Sequence, residues 1–96
     1  MSRSDEIELY VVEILISYRE ESGSAEFSYY QLMKWYARNR RKLGLPWVHW
    51  HTVERKVREL RERGYLERRS VKNRAIFTIK EELYSLRSFL ERKVAA

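Results

Sequence analysis

The sequence predicts a single domain spanning residues 1–96, mainly α with a small β-hairpin. Three observations predict it. Trp50, Val53, Val57 and Leu60 recur with the spacing of one face of a 3.6-residue helix. Straight after Gly64 the pattern changes to β-branched, aromatic and alternating residues on either side of a polar stretch, Ser70 to Arg74, as in a hairpin. Ser28-Tyr29-Tyr30-Gln31 carries the Ser and Gln of a helix capping box, with Phe27 and Leu32 placed for the hydrophobic staple that accompanies it. A chain of 96 residues builds one modest core and has no room for a second domain.

Ser4 is placed to cap a first helix over residues 4–21, with Asp5 and Glu6 where the helix dipole favours negative charge. Ile7, Val11, Ile14, Leu15 and Tyr18 form one apolar side of it, and Leu9, Val12 and Ile16 a second. A helix apolar on two sides needs two partners. The core is one; the other is either the rest of the chain or, the favoured reading for so short a chain, a second copy. Ser22-Gly23-Ser24 breaks the helix, and the capping box opens a second one over residues 28–43. Leu32, Met33 and Tyr36 lead its buried side, and Arg38, Arg40, Arg41 and Lys42 load its C-terminal end, where cations complement the dipole. That run reads equally as a solvated face and as a phosphate contact.

Gly44-Leu45-Pro46 turns the chain into a third helix over residues 48–63, which Gly64 stops as a residue free to take positive φ. Trp47 and Trp50 flank the turn, and burial of both indoles to anchor the third helix is favoured over base stacking. His51, Arg55, Arg58, Glu59 and Glu62 point away from the core face, with Thr52 at the edge. Glu54 with Arg58 and Glu59 with Arg63 are spaced as i,i+4 ion pairs. The hairpin occupies residues 65–79, with Arg68, Arg69, Lys72 and Arg74 crowded at its tip, where four like charges repel unless an anion joins them. Thr78-Ile79-Lys80-Glu81 reads as another capping box, opening a last helix over residues 80–93. Leu83, Leu86, Leu90 and Val94 form its stripe, with Tyr84 and Phe89 beside it.

The formal net charge of +6 is unevenly spread. Residues 1–33 hold two basic and seven acidic side chains, residues 34–80 fifteen and four, and residues 81–96 three and three. Positive charge concentrated on a helix pair and a hairpin suits a shaped phosphate backbone better than loose polyanion binding. With no run of 18 apolar residues, and with Asp5, Glu6 and Glu8 so early, neither a membrane span nor a signal peptide is expected. Zero cysteines exclude disulfides and thiolate metal sites and fit a cytoplasmic protein. Few Asn and Gln beside many Arg and Glu lean toward a thermophilic source.

No catalytic triad, glycine-rich phosphate loop or aspartate beyond Asp5 points to an enzyme, and nothing calls for a cofactor. His49 and His51 are too few ligands for zinc, and their i,i+2 spacing sets them on different sides of a helix. They read instead as candidates for presentation at the start of the third helix, with an uncommitted surface role as the competitor.

The run from Thr52-Val53-Glu54-Arg55 through Leu60-Arg61-Glu62-Arg63-Gly64-Tyr65-Leu66, a cationic helix joined directly to a cationic hairpin, resembles the recognition helix and wing of the winged helix-turn-helix DNA-binding family. The resemblance is greatest to compact regulators of archaea and their viruses and more distant to the multiple-antibiotic-resistance and PadR-type repressors. It implies a winged helix-turn-helix with an additional C-terminal helix, acting as a two-fold dimeric transcriptional regulator on double-stranded DNA in the cytoplasm, or the host cytoplasm if viral. In that family Ala25 to Phe27 would add a small strand to the hairpin sheet, the third helix would enter the major groove, and the wing would reach the minor groove or backbone.

The implied base contacts are His49, His51, Thr52 and Arg55, and the implied backbone or minor-groove contacts are Arg40, Arg41, Lys56, Arg58, Arg68, Arg69, Lys72 and Arg74, Arg58 being open to capture by Glu54. Leu9, Val12 and Ile16 of the first helix and Leu83, Leu86, Phe89 and Leu90 of the last would join the two copies. The same fold also serves as a protein-binding module, which exposed Trp47 and Trp50 would favour. A small-molecule effector would need a pocket between dimer helices; Tyr10, Tyr84 and Phe89 are candidates to line one, though aromatics at helical spacing are more often core.

Overall fold

The structure is a computed structural model that describes residues 3–96. Its elements run α1 (Arg3–Ser22), β1 (Glu26–Phe27), α2 (Tyr29–Asn39), α3 (Trp50–Glu62), β2 (Leu66–Val71), β3 (Arg74–Ile79) and α4 (Glu82–Ala95). The chain is thus mainly helical with a small antiparallel sheet of three strands in the order β1-β3-β2. No helix among the described residues is long and apolar enough to cross a membrane.

α1 is the hub. It packs against α2, α3, α4 and β3, and Val11, Val12, Ile14, Leu15 and Ile16 are all within 1% of complete burial. Both apolar sides are therefore covered by the same chain. α4 runs antiparallel to α1 along its length: Lys93 near the end of α4 lies 3.3 Å from Asp5 at the start of α1, and Arg19 near the end of α1 lies 2.6 Å from Glu81 just ahead of α4. This corrects the expected dimer surface. Leu9, Val12, Ile16, Leu83, Leu86 and Leu90 are buried inside the subunit, and of that set only Phe89, 48% exposed, faces out. The surplus apolar side that the stripe count assigned to a second copy is used by α4 folding back.

Local signals set several element ends. Ser28 caps α2: its Oγ accepts from the Gln31 N–H at 3.1 Å while Gln31 Oε1 accepts from the Ser28 N–H at 2.9 Å, the reciprocal pair of the capping box. α3 ends in a Schellman turn, with Gly64 at φ +89, the Tyr65 N–H donating to Leu60 O and the Gly64 N–H to Arg61 O. α2 closes alike through Gly44, so its winding continues as turns past Asn39.

Two predicted caps are not formed. Ser4 lies within α1, which includes Arg3. Glu81 precedes α4 with no side-chain capping bond, because Thr78 is held in β3 opposite Glu26 and Glu67 and is not free to cap.

The hairpin is tighter than its polar stretch suggests. The strands pair from Leu66↔Ile79 to Val71↔Arg74, leaving only Lys72 and Asn73 in the turn, at φ 51° and 63°. Two successive left-handed residues make the type I′ geometry that matches strand twist, and Asn tolerates it well. On the other side of β3, Glu26↔Thr78 and Phe27↔Phe77 add β1, whose rings stack at 5.5 Å.

α1 is tied to α3 by a buried carboxylate. Glu8 Oε1 lies 2.7 Å from Arg63 Nη1 and 3.7 Å from Lys56 Nζ, and Lys56, 7% exposed, also meets Glu59 at 3.3 Å. The expected Glu59–Arg63 pair is thus replaced by long-range pairing to Glu8. Removing one member of a buried ion pair strands the other. Glu8→Ala leaves buried Lys56 with only the part-exposed Glu59 and is expected to lower unfolding free energy in urea by about 3 kcal/mol, whereas Lys56→Met leaves Glu8 paired with Arg63 and is expected to stay within about 1 kcal/mol of wild type.

Burial, with the Glu91 charge behind it, pushes the Glu13 carboxyl above its ordinary range against the opposing pull of Arg87. A raised folded pKa means that ionised Glu13 costs stability above the ordinary carboxyl range, and the cost disappears as pH falls below it. Glu13→Gln should therefore raise Tm by about 1–3 °C at pH 7, with the gain vanishing in acid thermal melts.

Candidate nucleic-acid interface

α3 starts from a loop held by one phenol. The Tyr36 hydroxyl, on the buried face of α2, donates to Pro46 O at 2.6 Å and accepts from the Val48 N–H at 2.8 Å. Two backbone groups of opposite polarity are thereby satisfied by a single side chain, and the residues entering α3 are positioned relative to α2. His49 then caps α3, its Nδ1 accepting from the His51 N–H at 3.3 Å.

The outward face of α3 carries the expected residues with altered partners. His51 is 84% exposed at its side chain, and its Nδ1 lies 3.4 Å from Glu54. Glu54 thus turns toward His51, and no ion pair joins it to Arg58. Arg55 is exposed and reaches Glu59 at 3.7 Å, an i,i+4 pair of little strength at a surface. Thr52 is half-buried and His49 is exposed. Of the implied phosphate contacts, Lys56 is removed: it is buried and committed to Glu8 and Glu59. Arg58 is exposed and makes no ion pair among the described residues.

The sheet register divides the hairpin cations that the sequence groups together. Residues directly opposite share a face, so Arg68 shares a face with Phe77 while Arg69 shares the other with Ile76, and Arg74 with Val71 falls on the Arg69 side. Arg69 is further neutralised, its Nη2 lying 3.1 Å from both carboxylate oxygens of Glu26 on β1. The anion that the crowded tip calls for is therefore Glu26. Lys72 occupies the turn itself.

Arg58 and Arg68 converge at Tyr29. The Tyr29 ring packs edge-on against Phe77 at 5.0 Å. Burial, with the Glu54 charge behind it, pushes its phenol above the ordinary range, opposed by hydrogen bonding to Arg58 and, last in weight, by the charge of Arg68. Tyr29 thus stands beside a helix arginine and a hairpin arginine, neither of which has an ion-pair partner among the described residues. Tyr29 carries no sequence signal beyond its place after the cap. At the far end of α2, Arg38, Arg41 and Lys42 are exposed and Arg40 is half-buried.

Trp47 departs from expectation: it is 64% exposed, and only Trp50 is drawn toward the core. The Pro46 and Val48 bonds to Tyr36 leave Trp47 at the crest of the loop between them. Tyr10 and Phe89 line different hollows, and Tyr84 lies under Arg19 and Arg87, so the three aromatics do not share a pocket. Among the described residues no three potential ligands gather as a metal site.

No family model, curated protein or solved structure matches the chain. The chemistry of its own surface is what bears on function.

Tyr36→Phe leaves the buried Val48 N–H without a partner and frees Pro46 O. A loss of about 1–3 kcal/mol in chemical denaturation is expected, with faster amide exchange in residues 46–49 than elsewhere in the chain.

Proposed function

We propose that the chain is a winged helix-turn-helix protein that binds double-stranded DNA, with α3 directed to the major groove and the β2-β3 hairpin to the backbone or minor groove beside it. The single observation that carries the reading is the placement of exposed cations from two elements on one side: Arg68 of β2 lies opposite Phe77, Phe77 carries the Tyr29 ring at 5.0 Å, and Arg58 of α3 stands beside the Tyr29 phenol. Cations from two different elements share one site, next to an α3 face that carries exposed His51 and Arg55. The element order and the sheet order β1-β3-β2 fit the family pattern, including the small strand before the second helix.

His51, Thr52 and Arg55 are the proposed base readers, and Arg58, Arg68, Lys72 and the end of α2 the proposed phosphate contacts. His49 is needed as a cap, and Arg69 is held by Glu26. Regulation of transcription follows as the proposed role. Two-fold pairing, if it accompanies DNA binding, has Phe89 and the hollow formed with Tyr65 and Leu86 as its remaining apolar surface on α4. One observation favours a second reading, a protein-binding module: the exposure of Trp47.

Selection from random duplexes followed by titration at two salt concentrations tests the proposal. Each phosphate contact releases counterions, so Arg58→Ala and Arg68→Ala should each weaken binding to all sequences and flatten the log–log salt slope by about 1. Arg69→Ala should do so less. Arg55→Ala should cost about 1–3 kcal/mol on the selected site and relax preference at one position. Salt-independent binding, or no enrichment of any duplex, would sink the reading.

A further inference from the structure

Trp47, His49 and His51 form a row of rings at the N-terminal end of α3. The indole meets the His49 ring edge-on at 6.1 Å, and the two imidazoles stack at 5.2 Å with planes 26° apart. All three residues are exposed. Trp47 stands between two hollows. One, of about 340 Å³, lies toward α2 and is walled by Met33, Ala37 and Trp50 with Arg40 at its side. The other, of about 270 Å³, lies toward α1 and is walled by Ile7 and Tyr10 with Arg3 at its side.

Apolar and aromatic walls thus carry one arginine each, and among the described residues no carboxylate lines either hollow, Glu6 reaching only the Tyr10 hydroxyl at 3.4 Å. Glu54 meets the far end of the row, at His51. A surface that offers flat π-faces and cations fits a flat ring tethered to an anion. Bases within a duplex are stacked on one another and offer only their edges, so such a row is useful to a base that has left the stack.

We propose that the Trp47–His49–His51 row binds an unstacked nucleobase of a DNA strand, at an overhang, bulge or single-strand junction, with Arg40 on the adjoining phosphate. The proposal rests on the duplex-binding reading for its setting: His51 belongs both to the row and to the outward face of α3, so a duplex lying on α3 brings its end or interruption to Trp47. The substrate class is then duplex DNA with an unpaired base.

The test compares four labelled probes by fluorescence anisotropy: a blunt duplex, the same duplex with a short single-stranded overhang, that overhang built from abasic units, and the overhang strand alone. Wild type, Trp47→Ala and Trp47→Phe are titrated with each. Stacking on one aromatic side chain corresponds to about a 5- to 150-fold gain in affinity. Wild type should therefore bind the overhang duplex tighter than the blunt one by that order, and the abasic overhang should lose the gain. Trp47→Ala should lose it too, with unchanged blunt-duplex affinity and an unchanged Tm, and Trp47→Phe should retain most of it.

Equal affinity for blunt and overhang duplexes, or a Trp47→Ala loss that is the same on both, overturns the proposal while leaving duplex binding intact. Binding of the overhang strand in a Trp47-dependent way with no affinity for the blunt duplex overturns the duplex reading and leaves the row standing. If a short peptide of alternating aspartate and tryptophan binds in a Trp47-dependent way and the overhang strand does not, the row is a protein dock and the proposal falls.

Discussion

The two-sided burial of α1 is the constraint on which the other elements depend. A helix with Val11 and Ile14 on one flank and Val12 and Ile16 on another has no stable place at a surface, and each element that covers it is fixed by doing so. α4 is held antiparallel along it with ion pairs at both ends, and α3 is drawn down by the Glu8 carboxylate acting on Lys56 and Arg63. The cationic outer face of α3 is presented because its inner face, Val53, Val57 and Leu60, is fully buried.

Placement then passes outward through single polar side chains. Tyr36 joins α2 to the loop before α3, and Tyr29 sits where α3 and the hairpin come together over Phe77. Neither hydroxyl is at the surface for its own sake. The first organises backbone, and the second has its phenol pushed above the ordinary range by burial, against the pull of Arg58 and Arg68. A buried scaffold and a few satisfied polar joints thus set where the cations of two elements stand relative to one another.

The fold was legible where its causes are local. Ser28 with Gln31, Gly64, and the 3.6-residue recurrence of Trp50, Val53, Val57 and Leu60 each act within one or two turns of chain, and each marks what it implies. The misplaced features have remote causes. Glu26 reaches Arg69 across 43 residues, Glu8 reaches Arg63 across 55, and Arg19 reaches Glu81 across 62. No local pattern reports those pairings, so the sequence presents Lys56 as a surface cation and the last helix as unpartnered. Trp47 misled for a related reason: composition says an indole prefers burial, but two backbone bonds to Tyr36 on either side of it decide where the loop crest lies. The candidate interface was legible as a charge excess over residues 34–80 and not as a geometry, since register alone separates Arg68 from Arg69.

β1 is only two residues long, and this leaves a mark on the sheet. It covers β3 at Phe77 and Thr78, with the Ile79 N–H reaching Ala25, so the outer edge of β3 from Arg74 to Ile76 has no neighbouring strand. An open edge beside half-exposed Val71 and Ile76 is a template for strand addition between molecules. The guard against it is charge: Lys72 and Arg74 flank the open stretch and repel another copy of themselves. Neutralising Lys72 or Arg74 would remove that repulsion and leave the edge open to strand addition.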